Sequence, residues 1–393
     1  MKTILLTAGL TLAALICPAG AARTDKLSEP AGSPAAFGAE QKITLENPYL
    51  TLEFIPESMG RIGNVIYRPD HAALFTPYEV RIDRTTPLFA PRTDNASGVR
   101  ELLWAVAQMQ QGGKAPMEVK AQDERSITFY SPHYGNSSFA LTRKVTLPAD
   151  ALIVGIHLDF VNGSERAQET AVWFNLLPKT GAAVIMPAAG KKTQQRGRGL
   201  PMRFECDTLY GGCPGESWCV PAADWMAMAL NDPAIVFAVQ FDAGDMRPDG
   251  FFYSWQGPVH GRRVQTFEAV FGNRRFEPGK GIVMDYRLMV FPGLTNLRAV
   301  CGDCGIDGTL ANGRAEVELV AAAPRPAQTA VVKLLPAQGA PVELWKWSVP
   351  ALKTGEKART GGVVPGGLAA GRCVLGLELD GRTVALTGAA IER

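Results

Sequence analysis

Residues 169–178, ETAVWFNLLP, decide the fold class that the sequence predicts. Side chains on a β-strand alternate between the two faces of a sheet, so Ala171, Trp173 and Asn175 share one face. The other face is uniformly apolar and consists of Val172, Phe174 and Leu176. This alternation predicts a strand that covers a core with one face and presents an indole and an amide on the other.

Similar runs with a period of two recur between Lys42 and Gly293, and Gly, Pro and Asn separate them at turns. Helical periodicity is scarce. The strongest helix candidate is GVRELLWAVAQM, residues 98–109, in which Leu102, Leu103 and Val106 could share one helix face. A strand that enters a loop is the alternative for that segment. The sequence therefore predicts an all-β fold.

The composition divides the chain into four parts. Residues 23–41, rich in Ala, Pro, Ser and Gly, predict a flexible leader, and residues 42–295 predict a large β domain. After Leu294 the sequence shifts towards Gly, Ala, Val and Pro, with short strand-like runs. These runs predict a small immunoglobulin-like β-sandwich over residues 296–393.

The N-terminus predicts an exported protein. Lys2 precedes an apolar run from Ile4 to Ile16, and the small residues CPAGAA follow, with Ala19-Gly20-Ala21 as an A-x-A cleavage site. We expect residues 1–22 to be a signal peptide, and the protein to be periplasmic or secreted. Lipidation of Cys17 is disfavoured because bulky Ile16 precedes it. No later stretch approaches about twenty uncharged apolar residues, so no membrane span is expected.

Six cysteines lie beyond the predicted signal peptide: Cys206, Cys213, Cys219, Cys301, Cys304 and Cys373. An even number in an exported chain favours disulfides, whose connectivity the spacing does not give. The motif CGDC, residues 301–304, resembles a redox motif or half of a zinc site. It lies in a Gly-rich segment with no adjacent His, so we expect structural pairing, no metal site and no cofactor.

Charge and motifs exclude several classes of protein. The 40 Lys and Arg residues against 38 Asp and Glu residues give a net charge of +2, which lacks the basic excess of a dedicated nucleic-acid binder. The sequence contains no G-x-G-x-x-G motif that opens a helix, no P-loop, no G-x-S-x-G elbow and no H-E-x-x-H motif. We therefore expect neither nucleic acid nor a nucleotide cofactor as a partner.

Four segments in a fixed order carry a family resemblance: ENPYLTLEFIPESMGRIGNVIYRP at 46–69, GVRELLW at 98–104, residues 142–175, and FEPGKGIVMDYRLMVFPG at 276–293. Together they span about residues 42–295 and resemble the galactose mutarotase-like, or aldose 1-epimerase-like, β-supersandwich domains. The resemblance implies a supersandwich fold with a concave sheet face that binds sugars.

The resemblance also implies catalytic roles. In the family a His acts as general acid and a Glu as base. The segment AVWFNL, residues 171–176, is similar to the family's catalytic strand but has Ala171 where the His belongs. Because alanine cannot donate a proton, ordinary mutarotation is not expected. Glu268 matches the base, and His260 or Glu101 is the candidate acid; Glu101 and Glu268 would be a carboxylate pair for work on a glycosidic bond.

Aromatic rings that pack on a pyranose, and polar groups that bind its hydroxyls or carboxylates, complete the candidate site. The predicted substrate contacts are Arg61, Trp173, Asn175, Arg262, His133 and Trp255. The alternative explanation is structural. A Trp in a sandwich belongs more often to the core, and Arg residues on loops more often face water.

The sequence leaves three functions open. The leading hypothesis is an exported carbohydrate-active protein that binds or processes an oligosaccharide or polysaccharide, acidic glycans included, on the supersandwich face. The alternatives are a non-catalytic carbohydrate-binding or structural module and an aldose 1-epimerase with a relocated acid. If the protein is an enzyme, it is an epimerase, a glycoside hydrolase or a polysaccharide lyase. The oligomeric state stays open.

Overall fold

The computed structural model describes residues 42–57, 59–75, 79–82, 92–95, 98–103, 116–134, 137–178, 182–193, 202–205, 215–246, 250–259, 262–365 and 373–386. These ranges are nearly all β-strand, which confirms the predicted all-β fold class. Neighbouring strands pair antiparallel. A short 3-10 helix spans Ala243–Asp245.

Sheet I contains ten strands: β1 Ile43–Glu46, β2 Leu50–Ile55, β3 Arg61–Tyr67, β4 Ala72–Ala73, β7 Gly98–Leu103, β12 Gln168–Leu177, β14 Ala188–Thr193, β16 Gly215–Pro221, β19 Phe251–Val259 and β20 Arg262–Phe276. Their order is β1-β2-β3-β7-β12-β20-β19-β16-β14, with β4 beside β3. Strand β12, which contains the segment ETAVWFNLL, is thus a central strand. Strands β5 Glu79–Ile82 and β6 Arg92–Asn95 form a separate pair.

Sheet II contains nine strands: β8 Glu118–Gln122, β9 Ser126–Ser131, β10 Phe139–Thr146, β11 Ile153–Asn162, β13 Ala183–Met186, β15 Met202–Glu205, β17 Trp225–Asn231, β18 Ala234–Phe241 and β21 Gly281–Pro292. Their order is β15-β13-β17-β18-β21-β11-β10-β9-β8. Alternation is clear in β10, where Leu141 and Val145 are buried and Lys144 is exposed.

Sheets I and II stack face to face around the main core. Aromatic pairs join them: Phe54 of β2 packs on Phe129 of β9 with ring centroids 5.4 Å apart. Phe174 of β12 meets Tyr286 of β21 edge to face at 5.0 Å. Edge-to-face contacts at such distances are the favoured geometry for aromatic rings. The apolar face predicted for β12 therefore faces this core.

Two four-stranded sheets follow. Sheet III has the order β22-β23-β24-β27 and sheet IV the order β26-β25-β28-β29. The bounds are β22 Ala299–Cys301, β23 Cys304–Ala311, β24 Arg314–Ala321, β25 Gln328–Pro336, β26 Val342–Val349, β27 Lys357–Val363, β28 Cys373–Leu379 and β29 Arg382–Leu386. A second hydrophobic core draws its residues from both sheets. The domain boundary at 295/296 and the immunoglobulin-like identity stay predictions.

The C-terminal sheets are joined to sheet II by apolar packing, since Val300 and Val320 belong to the main core, and by polar contacts. The Leu152 amide donates to Ala322 O at 2.6 Å. Arg287 of β21 pairs with Asp303 at 2.6 Å, and the Thr354 hydroxyl donates to Asp150 O at 2.9 Å. Glu40–Arg393 forms one compact unit, consistent with these contacts.

The helix candidate at residues 98–109 is wrong in its first part. Residues Gly98 to Leu103 form strand β7, as the alternative interpretation of that segment predicted. The signal peptide, 1–22, and the leader, 23–41, lie outside the described residues. Within the described ranges, no helix has the length and apolarity needed to traverse a bilayer.

The disulfide prediction also needs a partial correction. Cys301, Cys304 and Cys373 are buried free thiols in this structure, so it contains no disulfide at these positions. Cys206 and Cys213 lie outside the described residues, and Cys219 belongs to β16, where only its strand position is described.

Candidate functional site

Strand β12 places Trp173 and Asn175 on the face of sheet I that points away from the main core. Phe174 lies between them in the sequence and faces that core. Trp173 instead packs with Ala171 and Val270 in a small separate apolar cluster. The period of two that the sequence predicted for this strand is therefore present at each of these positions.

A row of polar residues crosses sheet I on that face. Asn175 is directly opposite Glu268 of β20, and Glu268 is opposite Tyr253 of β19. Directly opposite residues of antiparallel strands share a face and have neighbouring Cβ atoms. Asn175 and Glu268 are only 3% and 2% exposed, so the amide and the carboxylate are both withdrawn from solvent.

Arg61 extends the row by way of the neighbouring strand. Asn175 is opposite Arg100 of β7, and Val99 of β7 is opposite Ile62 of β3. Antiparallel pairing therefore brings Arg61 alongside Arg100 in register. Arg61 is 1% exposed. We call Arg61, Asn175, Glu268 and Tyr253 the polar row.

The polar row combines a guanidinium, an amide, a carboxylate and a phenol, so it contains both signs of charge. A buried guanidinium and a buried carboxylate are costly to desolvate and need polar partners. Asn175 Oδ1 is buried and accepts no hydrogen bond from any residue that the structure describes. Such an acceptor costs about 1–3 kcal/mol unless a donor reaches it. A hydroxyl-bearing ligand would supply that donor.

A fully buried arginine on sheet II fixes the start of β3. Arg143 Nη1 donates to Met59 O at 3.0 Å and to Gly60 O at 2.8 Å, and its Nη2 donates to Tyr134 Oη at 3.3 Å. Met59 and Gly60 have φ angles of 61° and 56°, so the turn that precedes Arg61 is left-handed. Burial lowers the pKa of Arg143 to about 10, which still leaves it charged at neutral pH. Arg143 thereby orients the turn that delivers Arg61.

Position 171 carries no proton donor in the structure either. Ala171 is 1% exposed and lies in the apolar cluster with Trp173 and Val270. Its partner on β20 is Asn273, across a β-bulge that contains Gly272 with φ 82°. A left-handed φ of this kind is available to glycine at little cost. Acid catalysis from position 171 is therefore absent.

The structure brings four of the predicted site residues together: Arg61, Trp173, Asn175 and Glu268. Glu101 of β7 is opposite Phe174, one residue out of register with the polar row. The in-register residue is Arg100, which sequence reasoning missed. No pattern in the sequence distinguishes the two neighbours, because strand pairing alone sets the register.

The other predicted site residues are not placed in the polar row. His133 is exposed and follows β9 of sheet II, a different sheet. Trp255 lies in β19 two residues after Tyr253, and Arg262 begins β20; for both, only the strand position is described. His260 lies outside the described residues.

A cavity lies on the outer face of sheet II. This cavity of about 660 Å³ is lined by Lys144, His157, Asp224, Asp285, Arg287 and Arg382, among others. Several of its charged groups already pair with protein groups. His157 Nδ1 lies 2.8 Å from Asp285 Oδ1, and Arg287 pairs with Asp303. We favour the polar row as the candidate site because three of its members, Arg61, Asn175 and Glu268, are buried and were predicted from the sequence.

No metal centre emerges from the side chains that the structure describes. Within those ranges, no group of three or more His, Cys, Asp and Glu residues is arranged to hold an ion.

Comparisons with known proteins give structural likeness only. No family model matches the sequence, and no curated protein matches it. The Slr1438 protein of Synechocystis sp. PCC 6803 has a TM-score of 0.45 at 14% identity, over 66% of this chain and 97% of its own. A galactose mutarotase-like protein of Lactobacillus casei ATCC 334 has a TM-score of 0.45 at 10% identity, over 64% of this chain and 100% of its own. A galactose mutarotase-like protein of Clostridium acetobutylicum has a TM-score of 0.43 at 10% identity, over 64% of this chain and 95% of its own. These values carry no conclusion about activity.

Proposed function

We propose that the chain is an exported carbohydrate-active protein that binds an oligosaccharide or polysaccharide at the polar row of sheet I. The observation that carries the proposal is the in-register juxtaposition of Asn175 and Glu268, with Arg61 and Trp173 on the same face. The export part rests on the N-terminal sequence alone, residues 1–22.

The residue types of the polar row suit a sugar. A carboxylate accepts hydrogen bonds from hydroxyls, an amide both donates and accepts, and a guanidinium donates to ring oxygens or to a uronic carboxylate. The indole of Trp173 offers a flat surface for the apolar face of a pyranose. Arg61 beside this set supports acidic glycans within the ligand class.

If the bound glycan is also processed, we propose Glu268 as the base. A buried carboxylate in a hydroxyl-binding row is well placed to accept a proton from a sugar. The acid that the sequence predicted at Glu101 is in register with Phe174 and not with the polar row. His260, the other predicted acid, lies outside the described residues. The second candidate function, a non-catalytic carbohydrate-binding module, uses the same row without turnover.

Asn175→Leu is expected to weaken glycan binding about tenfold or more, because the substitution removes the amide at nearly constant volume and leaves hydroxyls of the ligand unpaired. A glycan array identifies the ligand, and titration calorimetry measures Kd for the variant and the parent. The matched control is Asp285→Asn in the cavity of sheet II, which should leave Kd unchanged. Binding that responds to Asp285→Asn and not to Asn175→Leu would move the site to sheet II.

Polarimetry distinguishes the aldose 1-epimerase alternative from the two other candidate functions. Because Ala171 provides no proton donor, the protein is expected not to accelerate the mutarotation of freshly dissolved glucose or galactose. The readout is the decay of optical rotation with and without protein. A mutarotation rate that rises in proportion to protein concentration would show that another residue acts as the acid and would support the epimerase alternative.

A further inference from the structure

The motif CGDC forms a tight hairpin that places two thiols side by side. Cys301 ends β22 and Cys304 begins β23, and the two residues are direct cross-strand partners. Gly302, with φ 56°, occupies the first position of the connecting turn. Direct partners have Cα atoms about 4.5–5.5 Å apart, which lies within the range that a disulfide spans.

Both thiols face the second hydrophobic core. Cys301 is 3% exposed and Cys304 is fully buried. The Cys301 thiol donates to Leu379 O at 3.6 Å, and Arg325 Nη1 contacts Cys304 Sγ. Burial raises the pKa of both thiols, that of Cys304 to about 11. In the folded chain these groups are protonated and shielded from attack.

The third buried cysteine of this region is not an available partner. Cys373 begins β28 opposite Pro336, whereas Cys301 contacts Leu379 at the other end of that strand. The six residue-to-residue steps from Cys373 to Leu379 correspond to about 20 Å of strand. A disulfide from Cys301 or Cys304 to Cys373 is thus out of reach.

The hairpin also lies at the contact between sheets II and III. Arg287 of β21 pairs with Asp303 at 2.6 Å and donates to Gly302 O at 2.9 Å. The Ala322 amide donates to Asp303 O at 2.7 Å. A covalent bond across the hairpin would fix the turn that these groups hold.

We propose that Cys301 and Cys304 form a disulfide with each other when the chain folds in an oxidising environment. Each thiol loses its proton, one S–S bond forms, and the two electrons reduce the disulfide of a thiol oxidant such as oxidised glutathione to two thiols. Because both sulfurs are buried in the folded chain, the bond forms before the hairpin docks on the second core. The proposal is independent of sugar binding.

The test is peptide mass spectrometry of protein refolded with oxidised glutathione. The sample is unfolded directly into iodoacetamide without reductant and digested with trypsin, which cleaves after Arg298 and Arg314. Both cysteines fall in the single peptide 299–314. We expect this peptide without alkyl groups and with two hydrogens fewer than its dithiol form. Prior reduction should restore two alkyl groups.

Cys373 is the internal control, because it lies in the separate tryptic peptide 373–382. Two alkyl groups on peptide 299–314 after oxidative refolding would overturn the proposal. Attachment of that peptide to any other cysteine-containing peptide would overturn it as well.

A stability readout checks the same bond in the folded protein. A four-residue loop gives a small entropic gain, so reduction in denaturant followed by refolding is expected to lower Tm by about 2 °C. Cys301→Ala should lose this dependence on reductant, whereas Cys373→Ala should keep it. Equal dependence in the two variants would contradict the assignment.

Discussion

Glu268→Gln is expected to lower any turnover of the bound glycan by about 10²–10⁴-fold, because glutamine matches the shape of glutamate but cannot accept a proton. The backbone position is set by pairing with Asn175 and Tyr253, which the substitution leaves in place. The measurement is the initial rate on the glycan identified by array screening, with Kd measured in parallel.

The control for Glu268→Gln is the thermal unfolding midpoint, which shows whether the variant is folded at the assay temperature. A rate equal to that of the parent at equal folded concentration would reject Glu268 as the base. A parent protein that binds the glycan and turns over none would instead assign the chain to the non-catalytic candidate, in which Glu268→Gln weakens Kd alone.

Arg143→Met is expected to reduce the free energy of unfolding by about 2–4 kcal/mol. The substitution leaves Met59 O and Gly60 O without their donor, and each buried carbonyl without a partner costs about 1–3 kcal/mol. Removal of the buried charge offsets part of this loss, because burial lowers the pKa of Arg143 to about 10. Urea unfolding measures the difference.

Lys144→Met is the matched control for Arg143→Met. Lys144 is the next residue of β10 and is exposed, so its replacement should change stability by no more than about 0.5 kcal/mol. Because Arg143 holds the turn before Arg61, Arg143→Met should also weaken glycan binding at temperatures where it remains folded. Unchanged stability and unchanged Kd together would show that Arg143 neither supports the core nor orients that turn.

Local alternation was the part of the structure that the sequence predicted well. In ETAVWFNLLP the period of two correctly separates Phe174, which faces the main core, from Trp173 and Asn175, which do not. The reason is physical: a strand with one buried face must repeat its apolar residues every second position. The same regularity allowed the all-β fold class to be predicted from the sequence alone.

Register between strands was the part that could not be predicted. Glu101 and Arg100 are neighbours, and only the pairing of β7 with β12 places Arg100, and not Glu101, opposite Asn175. A shift by one residue reverses every face of a strand, and nothing within a single strand fixes it. For the same reason the cross-strand pairing of Cys301 with Cys304 emerged only from the structure.

Arg143 was missed although its sequence context contains a signal. It occupies the apolar phase of β10 between Leu141 and Val145, both of which are buried. An arginine at a position where the alternation predicts an apolar residue indicates either a break in the strand or a buried group with its own hydrogen-bond partners. The carbonyls of Met59 and Gly60 are those partners, and they come from a segment more than eighty residues earlier in the chain.

A crystal structure with the array-selected glycan bound tests the central claim most directly. The account predicts sugar hydroxyls within hydrogen-bond distance of Asn175 Oδ1 and Glu268, with a pyranose face near Trp173. A glycan seated in the cavity of sheet II beside His157 and Asp285, with the polar row unoccupied, would contradict it.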